Sequence, residues 1–359
     1  MSYKIMPKVV FLDWVERLQQ SFRVVGPQEK HGDYIFDEIE EIDNLRLNYP
    51  PTVLPPKKYL VPPREVLLQY NLDASRIQAK INRKPTVIIG IHTCDLHAVK
   101  LLDHDFQQGY EDQHYQAHRE ETFLVGIECM TPCTEHSFCR DMGTASSADG
   151  FDIHILDLGD VYALNVNTRK GVVLLDGFHH AFDAMPSDME RINQRFSEKW
   201  AEFPYRLDFD VVEMSDLLEE CYNSELWDEL GERCLACGMC TQVCPTCYCF
   251  DVTDEADLQL EQGQRFRRWD SCQIHQFATV AGGHDFRAKL SARQRHRFMR
   301  KGKYQWDGYG IVGCVGCGRC ATSCLVDITP IGVFNELFRR ARDAGKTADE
   351  LAPELEVTK

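Results

Sequence analysis

Two cysteine runs, Cys234-Leu-Ala-Cys237-Gly-Met-Cys240-Thr-Gln-Val-Cys244-Pro and Cys314-Val-Gly-Cys317-Gly-Arg-Cys320-Ala-Thr-Ser-Cys324, share one spacing. Three thiolates at intervals of three residues wrap three corners of a four-iron four-sulfur cubane, and the fourth corner must come from elsewhere. Where two such runs are paired, the last Cys of each crosses to the other cluster. That rule predicts Cys234, Cys237, Cys240 and Cys324 on one cubane and Cys314, Cys317, Cys320 and Cys244 on the other. Gly238, Gly316 and Gly318 remove side chains beside the loops, so backbone N–H groups can approach the sulfurs and offset the thiolate charge. Zinc is the competing reading, but its sites want separated Cys pairs rather than four cysteines in one run. The expected chemistry is electron transfer through two 4Fe–4S clusters, and no residue is assigned a catalytic role.

The elements that must position these residues divide into an N-terminal α/β region and a C-terminal cluster region. Phe11, Trp14, Val15 and Leu18 recur at helical spacing. The proline-rich stretch from Tyr49 to Pro63 forbids regular helix or central strand and is expected to run extended over the surface as a linker or strap. Pro85 to His92 reads as a buried strand leading into a helix, and Thr122 to Ile127 as a second strand. Asp152 to Leu158 and Val161 to Val166 read as a hairpin, and Gly171 to Leu175 as a further strand. Residues 186 to 232 read as helical and acidic. The fold class expected is α+β: an α/β region with a mixed sheet, then a mostly helical two-cluster domain. Its segments are 1–80 (helix and strap), 81–180 (α/β domain) and 181–359 (dicluster domain with an insertion between the runs).

Both predicted strands deliver a cysteine just past the carboxyl end, where open α/β sheets place ligands. Cys94, Cys129, Cys133 and Cys139 are therefore a candidate third iron–sulfur site, with His92, Asp95 or His136 as substitutes for a thiolate, against the alternative of small buried hydrophobes. Cys247, Cys249 and Cys272 lie beside the first run, where packing is favoured over extra ligands or a redox-active pair. Cys221 reads as a core residue. The basic stretch from Arg287 to Lys303 is expected to make contacts, either neutralising the clusters or docking an acidic partner, rather than to form a solvated face.

The 359 residues carry a formal charge of -16 and are 43% hydrophobic, enough for a proper core and contrary to nucleic acid as a main partner. No apolar stretch approaches the roughly 18 residues of a membrane span, and the start lacks the layout of a secretory signal. Sixteen cysteines at metal-type spacing then point to a reducing, cytoplasmic compartment. No G-x-G-x-x-G follows a strand, so dinucleotide and flavin binding are assigned to a partner.

Across most of its length the chain resembles the iron–sulfur beta subunit of soluble, sulfhydrogenase-type nickel–iron hydrogenases, together with the corresponding iron–sulfur subunit of anaerobic sulfite reductase. The resemblance rests on Pro55-Pro-Lys-Lys-Tyr-Leu-Val-Pro-Pro with Glu65 following, Cys94-Asp-Leu-His97, Phe138-Cys139-Arg-Asp-Met-Gly143, and Gly150-Phe-Asp152 leading to Leu158-Gly-Asp160. It is strongest at Cys244-Pro-Thr-Cys-Tyr-Cys-Phe-Asp251, Trp269-Asp-Ser-Cys272 and Cys314-Val-Gly-Cys-Gly-Arg-Cys320. It implies an electron conduit between a flavoprotein subunit that binds FAD and NAD(P) and a terminal partner: hydrogenase small and large subunits first, a sirohaem sulfite or polysulfide reductase second. A reading of another class is a cluster-assisted thiol/disulfide reductase. The sequence departs from the family pattern at Leu325, where proline is expected, at Cys133, where no cysteine is, and at Ser137, where a cysteine is.

Overall fold

The computed structural model describes residues 2–73 and 75–351. Among the described residues, twelve strands form two sheets. The large sheet holds β1 (Ser2–Pro7), β2 (Arg23–Lys30), β3 (Asp33–Glu38), β6 (Thr86–His92), β7 (Thr122–Ile127), β8 (Ile153–Asp157), β9 (Val161–Val166) and β10 (Phe182–Asp183), in the order β10-β1-β9-β8-β7-β6-β2-β3. Its centre, β2 through β8, is parallel and its two margins are antiparallel. The small sheet, β11-β12-β4-β5, pairs β4 (Arg64–Asn71) and β5 (Ile77–Ala79) with the hairpin β11 (Phe250–Ala256) and β12 (Gln262–Trp269).

Alternation along the strands builds two cores. Val24, Val87, Ile89, Val125 and Ile153 face the helix Phe11–Gln19, whose Phe11, Trp14, Val15 and Leu18 are all buried as their spacing predicts. Val25, Ile88, Leu124 and then Ile91 face the helix Thr93–Gln107 on the other side. The change of parity at Ile91 comes from a bulge at Gly90, which has φ 79 and lets the backbone approach Pro27 and Leu47. A third core, with Leu217, Trp227, Phe298 and Phe334, sits among the helices Met214–Glu220, Leu226–Arg233, Leu290–Met299 and Pro330–Leu351. Cys221 belongs to it, as expected. Among the described residues no helix is long and apolar enough to cross a membrane.

Three expectations change. Residues 1–80, read as a helix and a strap, also contribute β1, β2 and β3 to the same sheet as β6–β9. Residues 169–175 form a helix rather than a strand, because the Thr168 hydroxyl caps the Gly171 N–H and Gly171 packs against the Asp152 carbonyl. The strap is largely buried: Thr52, Lys57, Leu60 and Val61 are each under 5% exposed. Proline removes N–H donors that would otherwise need partners, so an irregular segment rich in Pro, Tyr, Leu and Val can run inside the protein.

The strap ends at Glu65 on β4, directly opposite Arg267 on β12. Their buried ion pair (2.7 Å) is flanked by His118 Nε2 at 2.6 Å and His114 Nδ1 at 3.6 Å from the same carboxylate, and Arg267 also reaches Asp112 at 2.5 Å. Burial alone would raise the Glu65 carboxyl, but its contacts with His114, His118 and Arg267 outweigh burial and hold it well below the usual carboxylate range. A carboxyl depressed on folding contributes stability above its unfolded pKa, near 4.3, and loses it as pH falls toward the folded value. Glu65→Gln is expected to cost about 3–5 kcal/mol at pH 7 by leaving Arg267 partly unpaired, and the gap between wild type and variant in denaturant unfolding should narrow as pH falls below about 4. A gap independent of pH would mean the carboxylate charge is not what locks the sheet.

Candidate iron–sulfur centres

The two cysteine runs fold as copies of each other, offset by 80 positions. Gly238 and Gly318 both have φ 77 and open the short helices Met239–Gln242 and Arg319–Thr322. Thr241 N donates to Gly238 O at 3.0 Å and Ala321 N to Gly318 O at 2.9 Å; Cys244 N and Cys324 N repeat the match on Thr241 and Ala321. Ala236 (φ 52) stands where the second run has Gly316 (φ 65), a left-handed position that costs a non-glycine residue about 1–2 kcal/mol.

The two runs meet in space. A cavity in the first run is lined by Cys234, Cys237, Cys240 and, from the second run, Cys324. Cys244 of the first run interacts with Cys314, Cys317 and Cys320. N–H groups point at the sulfurs: Gln294 Nε2 (2.9 Å) and Ala236 N (3.4 Å) at Cys234, and Ile328 N (3.3 Å) at Cys324. Burial pushes Cys317 up to about 12 and Cys240 to about 11, so protons have to leave when metal enters. Buried cations oppose that trend. Arg297 faces Cys240 and Cys320, and Lys301 faces Cys244, Cys247 and Cys314.

These cations come from the basic stretch, which forms the helix Leu290–Met299 and a π-turn at Arg300–Tyr304. Gln294 and Arg297 are buried and reach the thiols, whereas the buried Arg293 holds the carbonyls of Arg287, Gln273 and Ala288. A further cation was not legible as such: Lys57 of the strap donates to the carbonyls of Cys244 (2.7 Å) and Cys247 (2.5 Å). The only sign of it in the sequence is a lysine pair among prolines.

In the α/β region, β6 and β7 run parallel and side by side, so His92 and the Glu128-Cys129 segment leave the sheet at one end. His92, Cys129 and Cys133 form the one group of three, among the described residues, whose ligand atoms all lie within 4.8 Å of one another. The His92 ring stacks on Tyr49 of the strap (4.0 Å, 15°), and its Nδ1 is 3.7 Å from the Cys133 sulfur. Burial, helped by Arg319, lowers His92 to about 3, leaving a neutral imidazole with a lone pair to offer. Cys139 and Cys94 flank this group, each interacting with both Cys129 and Cys317. Cys94 packs among Ala98, Leu101 and Val315. Asp95 is not free to substitute for a thiolate: both its oxygens are held by Arg319 at 2.7 and 2.6 Å. His136 contacts Glu135 at 3.8 Å and stands outside the three-residue group. Under Cys129, the buried Lys199 ammonium donates to Glu128 and to Ala145 O. A cleft of about 940 Å³, bordered by Lys8, Tyr34 and Arg195, opens onto Cys129 and Cys133.

A family described as "4Fe-4S dicluster domain" matches residues 233–328, the span of both runs. The chain is 34% identical to "Sulfhydrogenase 2 subunit beta" of Pyrococcus furiosus over 337 residues, which cover 94% of this chain and 98% of the relative. This chain belongs to the sulfhydrogenase beta-subunit family. Its cofactors are accordingly iron–sulfur clusters, and two cubanes are what a dicluster domain holds. No solved structure gives a significant match. The family's double run is fitted here to its second cysteine group through Gly316, whose carbonyl accepts from Phe138 N at 2.8 Å. A Cβ at Gly316 would lie 2.7 Å from Cys139 N and from the Phe138 carbonyl. Gly316→Ala is therefore expected to lower the melting temperature and the iron content, whereas Gly308→Ala, with open space around it, should change neither. Equal iron and stability in the two variants would show that this close approach is dispensable.

Proposed function

We propose that this chain is the electron-transfer component of a cytoplasmic hydrogenase complex, relaying electrons between a nickel–iron catalytic module and an NAD(P)H-linked flavoprotein subunit. The observation that carries the reading is the crossed arrangement, with Cys324 lining the first run's cavity and Cys244 lying among the second run's thiols. Cys234, Cys237, Cys240 and Cys324 would hold one cubane, and Cys314, Cys317, Cys320 and Cys244 the other. When bound, a cubane takes up and gives back one electron at a time. The relative's name favours hydrogenase chemistry over the sulfite-reductase alternative.

The rest of the work belongs to the chain's own side chains. Gln294, Ala236 and Ile328 aim N–H groups at ligand sulfurs, which stabilises the reduced, more negative state. Arg297 and Lys301 supply fixed positive charge beside both sets. His92, Cys129 and Cys133, with Cys139 or Cys94 completing the set, would hold a third centre. The interactions of Cys94 and Cys139 with Cys317 support a third centre beside the second-run set, and Arg297, facing both Cys240 and Cys320, supports two adjoining cubane sets. A relay through these sets would run from the third site through the second-run set to the first-run set.

Anaerobically isolated protein should contain about eight irons and eight acid-labile sulfides per chain, or about twelve with the third site filled as a cubane. Cys317→Ser should remove about four irons and stall hydrogen-linked reduction of NAD(P) in the assembled complex, while Cys133→Ser should spare the paired cubane EPR signals. Colourless protein without iron would refute the proposal.

A further inference from the structure

Cys247, Cys249 and Cys272 have no place in the eight-cysteine scheme, yet they are not scattered. Asp270 N donates to Cys249 O at 2.9 Å, closing the base of the β11–β12 hairpin and bringing Cys272 beside Cys249. The two side chains act directly on each other, and no other thiol influences either of them as strongly. On one side Cys272 interacts with Cys240 of the first set; on the other Cys249 interacts with Cys247, whose backbone N–H donates to Cys244 O of the second set at 3.4 Å. A line of sulfurs therefore runs from one cubane site to the other, with Cys249 and Cys272 in its middle.

Cations and an amide donor surround the pair. Lys57 and Lys301 face Cys249, Arg297 faces Cys272, and Gln273 Nε2 donates to the Cys272 sulfur at 3.4 Å. Gln273 is itself fixed by Arg293 O (3.0 Å) and Gln294 (2.9 Å). Cations and an amide N–H stabilise electron-rich sulfur. Cys272 is 7% exposed, so the pair exchanges electrons with its neighbours more readily than with solutes.

We propose that Cys249 and Cys272 form a redox-active dithiol between the two cubanes, a two-electron store on a path of one-electron carriers. Reduction breaks the Cys249–Cys272 S–S bond and consumes two electrons and two protons, giving two thiols; the electrons come one from each adjacent cubane. Oxidation forms the bond, releases two protons and returns one electron to each cubane. Lys57 and Lys301 hold the negative charge while only one electron has arrived. This inference rests on the paired-cubane reading of the chain, and its test separates the two.

The holo-protein, poised anaerobically at a series of potentials with mediators, is quenched in excess N-ethylmaleimide under denaturing conditions and mapped by mass spectrometry, with iron counted in the same samples. Expected is a 249–272 linked peptide in oxidised samples that gives way to two alkylated thiols on reduction along a two-electron curve, at constant iron. Cys272→Ser and Cys249→Ser should each abolish the link and keep both cubane EPR signals. Free thiols at 249 and 272 throughout the titration would overturn the proposal, and so would loss of iron in either variant, which would make these residues metal ligands. Iron-free wild-type protein would instead refute the cubane reading itself.

Discussion

Arg297, Lys301, Lys57 and Arg319 carry positive charge into the interior where the cysteine runs meet, and the surrounding architecture holds it there. Thiolates packed at this density repel one another and resist ionisation, as the raised Cys317 and Cys240 show. Buried ammonium and guanidinium groups are themselves costly unless paired and hydrogen-bonded. Three of the four are tied down by fixed partners: Arg319 by both oxygens of Asp95 and by Thr52 O, Lys57 by two cysteine carbonyls and the Trp269 ring, Lys301 by Thr246. The two kinds of expensive group are tolerable only together.

That pairing explains why segments far apart in sequence converge. Lys57 comes from the strap, Arg319 from the second run, Asp95 from the first turn of the helix after β6, and Arg297 and Lys301 from the basic stretch. The strap must be buried to deliver Lys57 and to stack Tyr49 on His92. The insertion between the runs is equally structural: its hairpin pairs with β4 and supplies Arg267 to Glu65. The acidic surface that a charge of -16 implies coexists with this positive interior because the two are segregated by burial.

What was legible in the sequence was whatever local spacing determines. The cysteine runs, the helix bearing Trp14, strands β6 and β7 and the β8–β9 hairpin all follow from periodicity within a few residues. What was not legible depended on partners distant along the chain. Gly171 to Leu175 has the composition of a strand, and only the Thr168 cap and the nearby Asp152 carbonyl make it a helix. The strap's burial needed two separate surfaces to bury against. His92 joins Cys129 and Cys133 through the pairing of β6 with β7, whereas Asp95, as good a ligand by type, is claimed by an arginine more than 200 positions away.

The small sheet draws β4 and β5 from before the central strands and β11 and β12 from between the cysteine runs. Its interlaced origin makes the dicluster segment inseparable from the remainder. A fragment cut at the ends of the 233–328 match would present β12 as an open edge and leave Arg267 without its carboxylate, Arg319 without Asp95, and the Cys244 and Cys247 carbonyls without Lys57. The ferredoxin-like unit has ceased to be a portable module, and exchange between relatives would have to proceed by whole chains.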